Sequence, residues 1–322
     1  MKRQFLRALG LLLAFAAAVY FVRYAIHALT GRDLSGLLDG RVVAAAAALT
    51  VLYALLIPTT ALAWTWLLRG MRQPADYKRM LAILATTQFG KYLPGNVAQH
   101  IGRIAMARNE GVQWPVALFS VAYEMLLMLV ACAHVSALTL LWAPPMALAR
   151  WSITEYRVPL LVLVTVSAAL ALLLAPRAAA WLARHRATRR GEQDYRPPSL
   201  RLDMRTIFMS YVIYAINFCL VGAGLWLLAH ALLAGSASTP SVVFLIGAFA
   251  SSWILGFVAP GAPAGLGIRE AIISAWLSGA LPPAQVVLLV VALRIATSVG
   301  DLLNFILGSA WLRRTRRIGS KA

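Results

Sequence analysis

Six stretches of the chain are almost continuously apolar: about 5–29, 42–68, 113–142, 157–176, 206–234 and 283–312. A helix rises 1.5 Å per residue, so about twenty such residues cover the roughly 30 Å hydrocarbon core of a bilayer. Backbone groups in lipid must be satisfied within their own segment, so these stretches are predicted to be membrane-spanning helices. The alternating pattern of an outer-membrane barrel is absent. The first stretch follows Lys2, Arg3 and Arg7 and has small residues around Ala14–Ala18, as a signal peptide would. It is too long for the core of one and continues through Tyr20 and Phe21, so a retained anchor helix is expected.

Two further apolar stretches are interrupted. Arg79 to Arg108 is broken at Leu93-Pro94-Gly95-Asn96, and Ser241 to Gly279 is broken between Pro260 and Gly267. Proline and glycine end helices, so each break predicts two short helices joined by non-helical backbone. At membrane depth such backbone survives only where protein buries it or where it lines a wet cavity. The fold predicted is an all-α integral membrane protein, a polytopic helical bundle with about six full spans plus two broken, re-entrant hairpins. Hydropathy alone leaves open whether each hairpin is re-entrant or makes two tilted crossings.

Composition agrees. The 322 residues are 61% hydrophobic and 13% charged, and the mean hydropathy is +0.75, outside the range of soluble domains. The formal net charge of +19 raises the question of nucleic acid. The basic residues gather at the ends of apolar runs, however, which is orientation and anionic-lipid chemistry, and no nucleic-acid motif accompanies them. With the N-terminus in the cytoplasm, segments 1–7, 69–79, 177–205 and 313–321 face that side and hold 20 of the 30 Lys and Arg. The excess predicts a multi-pass protein of the bacterial plasma (inner) membrane with both termini cytoplasmic. A single membrane domain, 1–322, then contains two repeat-like halves, 42–142 and 206–312, joined through a basic cytoplasmic linker at 177–205. Each half reads span, broken hairpin, span, in opposite orientation, which is the inverted-repeat arrangement of secondary transporters.

Ionisable residues deep in a span are costly, so each is a candidate for function. Glu124 lies well inside the 113–142 run. Arg294, Thr297, Ser298, Asp301 and Asn304 share one face of the last run. Asn217, with Tyr214 and Ser210, makes a milder stripe. In the second break a helix is expected to begin near Leu266, with Arg269 and Glu270 in its first turn. Glu270 suits a helix N-terminus, and Arg269 does not unless an anion lies alongside, so a Gly-rich turn with free N–H groups and an Arg predicts a phosphate site. The competing reading is a tight turn with an internal Arg269–Glu270 or Arg269–Asp301 pair, and likewise Arg294 and Asp301 pairing with each other or with Glu124. In the first break Asn96 is predicted to cap the following half-helix with Gln99 as capping-box partner, between Lys91 and Arg103. Alternatively that hairpin rests at the interface with Lys91 and Arg103 snorkelling. Cys132 and Cys219 fit neither a disulfide framework nor a zinc site, no catalytic motif is present, and no cofactor or metal is expected.

Phe89-Gly90-Lys91-Tyr92-Leu93-Pro94-Gly95-Asn96 with Arg103, then Glu124, then Pro263-Ala264-Gly265-Leu266-Gly267-Ile268-Arg269-Glu270-Ala271 resemble the lysylphosphatidylglycerol synthase transmembrane-region family, over about 5–312. The resemblance implies a flippase-like membrane domain that moves lipid between leaflets. Where that family often has a Gly-rich sequence and an acidic residue after the first Pro-Gly, this chain has Val97-Ala98-Gln99-His100-Ile101-Gly102. The sequence ends at Ala322 without the soluble synthase domain, so synthase activity is not expected. The leading expectation is a transporter of a phosphate-containing lipid (phospholipid, polyprenyl-phosphate or glycolipid) between leaflets, with membrane lipids as its partners. A non-transporting scaffold that recruits a lipid- or glycan-modifying enzyme through the 177–205 loop is the alternative. An integral-membrane transferase using Glu124 or Asp301 as base is a third.

Overall fold

The computed structural model describes residues 39–92, 97–145, 153–189, 200, 202–234, 239–259 and 263–319, with single positions between 19 and 30. The chain is a multi-pass all-α membrane protein. Its first described span is α1 (Gly40–Ala54) continued by α2 (Leu56–Gly70), with a kink between them. Then come α3 (Tyr77–Thr87), a 3₁₀ turn at Gln88–Tyr92, α4 (Ala98–Asn109) and α5 (Trp114–Trp142). A long helix α6 (Arg157–Arg189) leads to α7 (Met204–Leu232). The second half closes with α8 (Val242–Val258), a 3₁₀ turn at Pro263–Gly265, α9 (Ile268–Leu277) and α10 (Pro283–Gly319).

Five helices, Gly40–Gly70, Trp114–Trp142, Arg157–Arg189, Met204–Leu232 and Pro283–Thr315, are long and apolar enough to cross a membrane. They correspond to five of the six predicted runs, and the sixth, 5–29, is described only at single positions. The arms of the first hairpin are too short to cross. α3 has 11 residues and α4 has 12, about 17 and 18 Å at 1.5 Å per residue, against a core of roughly 30 Å. α9, with 10 residues, is shorter still.

The α1–α2 span and α7 run antiparallel: Gly224 meets Leu49 and Leu52, Asn217 bonds Thr59, and Gly70 meets Leu202 and Asp203. Several packings of the segment 42–142 have counterparts in the segment 206–312. α3 packs on α10 as α8 packs on α5, α1 packs on α10 as α7 packs on α5, and the two 3₁₀ tips touch each other. In lipid, helices associate through close van der Waals packing at small residues. Gly247 sits against Thr139 of α5, Gly308 against Ala85 and Thr86 of α3, and Gly300 against Tyr53 and Thr50 of α1.

The kink at Leu55 follows from Pro58, which has no N–H for the carbonyl of Ala54. Asn304 of α10 supplies the missing donor: its Nδ2 donates to the Ala54 carbonyl at 3.1 Å and to that of Gly300 at 3.1 Å.

Two expectations change. The helix predicted to stop near 176 continues through Pro176 to Arg189, so the first part of the basic 177–205 segment is helical rather than a loop. The N-cap of α4 is Val97, without a side-chain cap, in place of the predicted Asn96, which itself lies outside the described residues. With the helix starting at Ala98, Gln99 falls one position short of a capping box, and its Nε2 lies 3.1 Å from His100 Nε2 instead.

Candidate functional site

The hairpin tips meet in the middle of the bundle, and a cavity opens between them. About 170 Å³ of it is open to the centres of water-sized molecules, roughly ten times the 10–15 Å³ that one water requires. Charged groups from both halves line it: Lys91, Arg103 and Glu124 from the first, and Arg269, Glu270, Arg294 and Asp301 from the second. Gln99, His100, Tyr214 and Asn217 add neutral polar groups.

Three ion pairs organise these charges. Arg103 on α4 forms a two-pronged pair with Glu124 on α5, its Nη1 donating to Oε1 at 3.0 Å and its Nη2 to Oε2. Glu124 is 1% and Arg103 5% exposed, so Arg103 is paired inside the protein and does not snorkel. The Arg103 guanidinium also lies 4.1 Å from the centre of the Trp64 ring, a favourable cation–π distance. In the second half Arg294 on α10 pairs with Glu270 on α9. These two pairs correspond, each tying the second arm of a hairpin to the following span, with the charges reversed. The third pair crosses the centre. Lys91, in the first tip, lies 2.6 Å from Asp301 on α10, and Tyr92 donates to the same carboxylate oxygen at 2.6 Å. Lys91 also donates to the Tyr53 hydroxyl at 3.1 Å. None of the pairings anticipated between Arg294, Asp301 and Glu124 occurs, because Glu124 and Asp301 face Arg103 and Lys91 of the first hairpin while Arg294 faces Glu270 of the second.

Arg269 stands apart. Among the described residues it has no carboxylate or hydrogen-bond partner, and its Nε is buried and unpartnered. The fold makes room for it. A Cβ on Gly256 would come within 2.5 Å of the Arg269 side chain and one on Gly265 within 2.6 Å. Gly265 at φ +70° and Gly267 at φ +82° take left-handed conformations that other residues adopt with strain, turning the chain into α9. The guanidinium carbon lies 5.6 Å from the centre of the Trp253 ring. Glu270 Oε2, Asp301 Oδ1 and Arg294 Nη2 are likewise buried without partners, so the site holds unused donors and acceptors of both signs.

Of the predicted site residues, Lys91, Gln99, Arg103, Glu124, Arg269, Glu270, Arg294 and Asp301 come together at this cavity. Asn304 does not; it serves the Ala54 carbonyl on the far side of the Asp301 turn. Ser298, on the same predicted stripe, is exposed. Tyr53 and Trp253 had not been anticipated, because an aromatic residue within an apolar run carries no signal of its own until a charge faces it.

This chain belongs to the lysylphosphatidylglycerol synthase TM region family. The family model matches residues 5–303, which takes in both hairpins and every charged group of the cavity. Comparison with curated proteins gives no match. Within this family, then, the chain has a polar, ion-paired hollow beside the place where the two 3₁₀ turns touch.

Proposed function

We propose that this protein moves a phosphate-containing lipid between the leaflets of the bacterial plasma membrane, with its termini and basic segments on the cytoplasmic side. The observation that carries the reading is the cavity itself: four cations and three carboxylates brought from five elements to one hollow between the two hairpins. Charges at that depth are costly and mark a pathway for polar cargo. A lipid head group would enter the hollow while its acyl chains remain among the exposed apolar faces outside. Discontinuous helices from opposed repeats form the moving parts of alternating-access transporters, and rocking the hairpins against the spans would expose the site to each leaflet in turn. Arg269 would hold the phosphate, because a guanidinium matches phosphate oxygens in a forked geometry.

The test is reconstitution of the full chain into liposomes carrying a fluorescent phospholipid, with dithionite quenching of the outer leaflet. Wild type is expected to make the inner-leaflet probe accessible within minutes, and Arg269→Ala to return the rate to that of empty liposomes. An unchanged rate in Arg269→Ala, with both proteins inserted equally, would remove this residue and the cavity from the mechanism.

A further inference from the structure

We infer that the head group this cavity takes is a phosphodiester with a net charge of minus one, and that the cavity discriminates against zwitterionic and cationic aminated phosphoglycerides, which leave its positive charge uncompensated or add to it. The inference rests on the lipid-transport reading and concerns its substrate. The charges facing the hollow are Lys91, Arg103, Arg269 and Arg294 against Glu124, Glu270 and Asp301, with His100 the one further titratable base lining it. Three cations are matched by three carboxylates in direct contact. One guanidinium, Arg269, remains, and the hollow carries a single uncompensated positive charge.

A low-dielectric site holds such a charge at a cost that one anion removes. A phosphodiester supplies one negative charge and two unesterified oxygens, which is what one forked guanidinium accepts. A phosphomonoester near neutral pH brings close to two charges, and the second would find every other cation already engaged. A lysyl-bearing head group brings net positive charge into a hollow that is positive already. The geometry around Arg269 argues that the residue is held for a ligand. Two glycines that leave space for its side chain, and a buried Nε without a partner, fix its position without neutralising it.

The purified full chain is to be equilibrated in detergent with equal amounts of phosphatidylglycerol, phosphatidylethanolamine, phosphatidate and lysylphosphatidylglycerol, and the retained lipids counted by native mass spectrometry. At least a tenfold preference for phosphatidylglycerol over each of the others is expected, and its loss in Arg269→Gln. Asp301→Asn raises the net charge of the cavity by one and is expected to shift the preference toward phosphatidate, a gain that a misfolded protein cannot show. Retention of phosphatidylethanolamine or lysylphosphatidylglycerol equal to that of phosphatidylglycerol overturns the inference, as does unchanged selectivity in both variants. The liposome assay separates the two claims. Selective retention without movement keeps this inference and removes transport, whereas movement of all four lipids at one rate does the reverse.

Discussion

The pair between Arg103 and Glu124 permits the sharpest test of how the cavity is held. Both groups are almost fully buried, and the carboxylate engages both terminal nitrogens of the guanidinium. Replacing Glu124 with Ala leaves the arginine charge in place with only the Trp64 ring beside it. Breaking a buried pair from one side costs about 3–5 kcal/mol, because the remaining charge loses its partner without regaining water. The ring returns only part of that, on the order of 1 kcal/mol. Arg103→Met strands Glu124 in the same way and should cost a similar amount. The double variant Arg103→Met/Glu124→Leu removes both charges and fills the space with apolar atoms, so it is expected to lie within about 1 kcal/mol of wild type. The protein carries its own reporter. Cys132 is free and fully buried, whereas Cys219 is exposed, so in a Cys219→Ala background a thiol-reactive dye should label Cys132 only on unfolding. Titration with sodium dodecyl sulfate, followed by that labelling, gives the stability of each variant. Losses that add in the double variant, or single variants that unfold with their parent, would refute the claim that these two groups depend on each other.

Further outcomes follow from other contacts. Asn304→Leu should cost about 1–3 kcal/mol by leaving the Ala54 carbonyl unsatisfied, and less in a Pro58→Ala background, where the helix regains its own donor; equal losses in both backgrounds would show that the Asn304 bond does not substitute for the missing N–H. Gly256→Val should displace Arg269 without changing any charge and abolish retention of phosphatidylglycerol in native mass spectra, while retention at the wild-type level would mean that the arginine's position is unimportant. Asp203 caps α7, and hydrogen bonds from the Thr206 hydroxyl and then the Thr206 amide hold its carboxyl below the usual range. Because the folded value is depressed, the cap's contribution is complete above the unfolded pKa of about 3.9 and is lost as pH falls through the lower folded value. Asp203→Ala should therefore destabilise by about 1 kcal/mol at neutral pH and by progressively less in acid, as read by the same dye assay.

Much was fixed by the linear order of residues. Apolar runs of some twenty residues leave no alternative to spanning helices, and prolines and glycines at 93–96 and 260–267 break the two hairpins wherever the rest of the chain lies. Lone charges such as Glu124 and Asp301 stand out in an apolar run because burying them in lipid is costly, so the candidates for the cavity were visible too. Who pairs with whom was not. Arg103 meets Glu124 across 21 positions and Lys91 meets Asp301 across 210, and only the packing of the folded helices brings such residues within hydrogen-bond reach. Asn304 shows the converse. Its spacing on the helix matched the cavity stripe, but the neighbouring carbonyl freed by Pro58 decided its role. Helical periodicity assigns a residue to a face, whereas the opposing helix determines what that face touches, and here that distinction separates an ion pair, a backbone repair and an arginine without a carboxylate partner among the described residues.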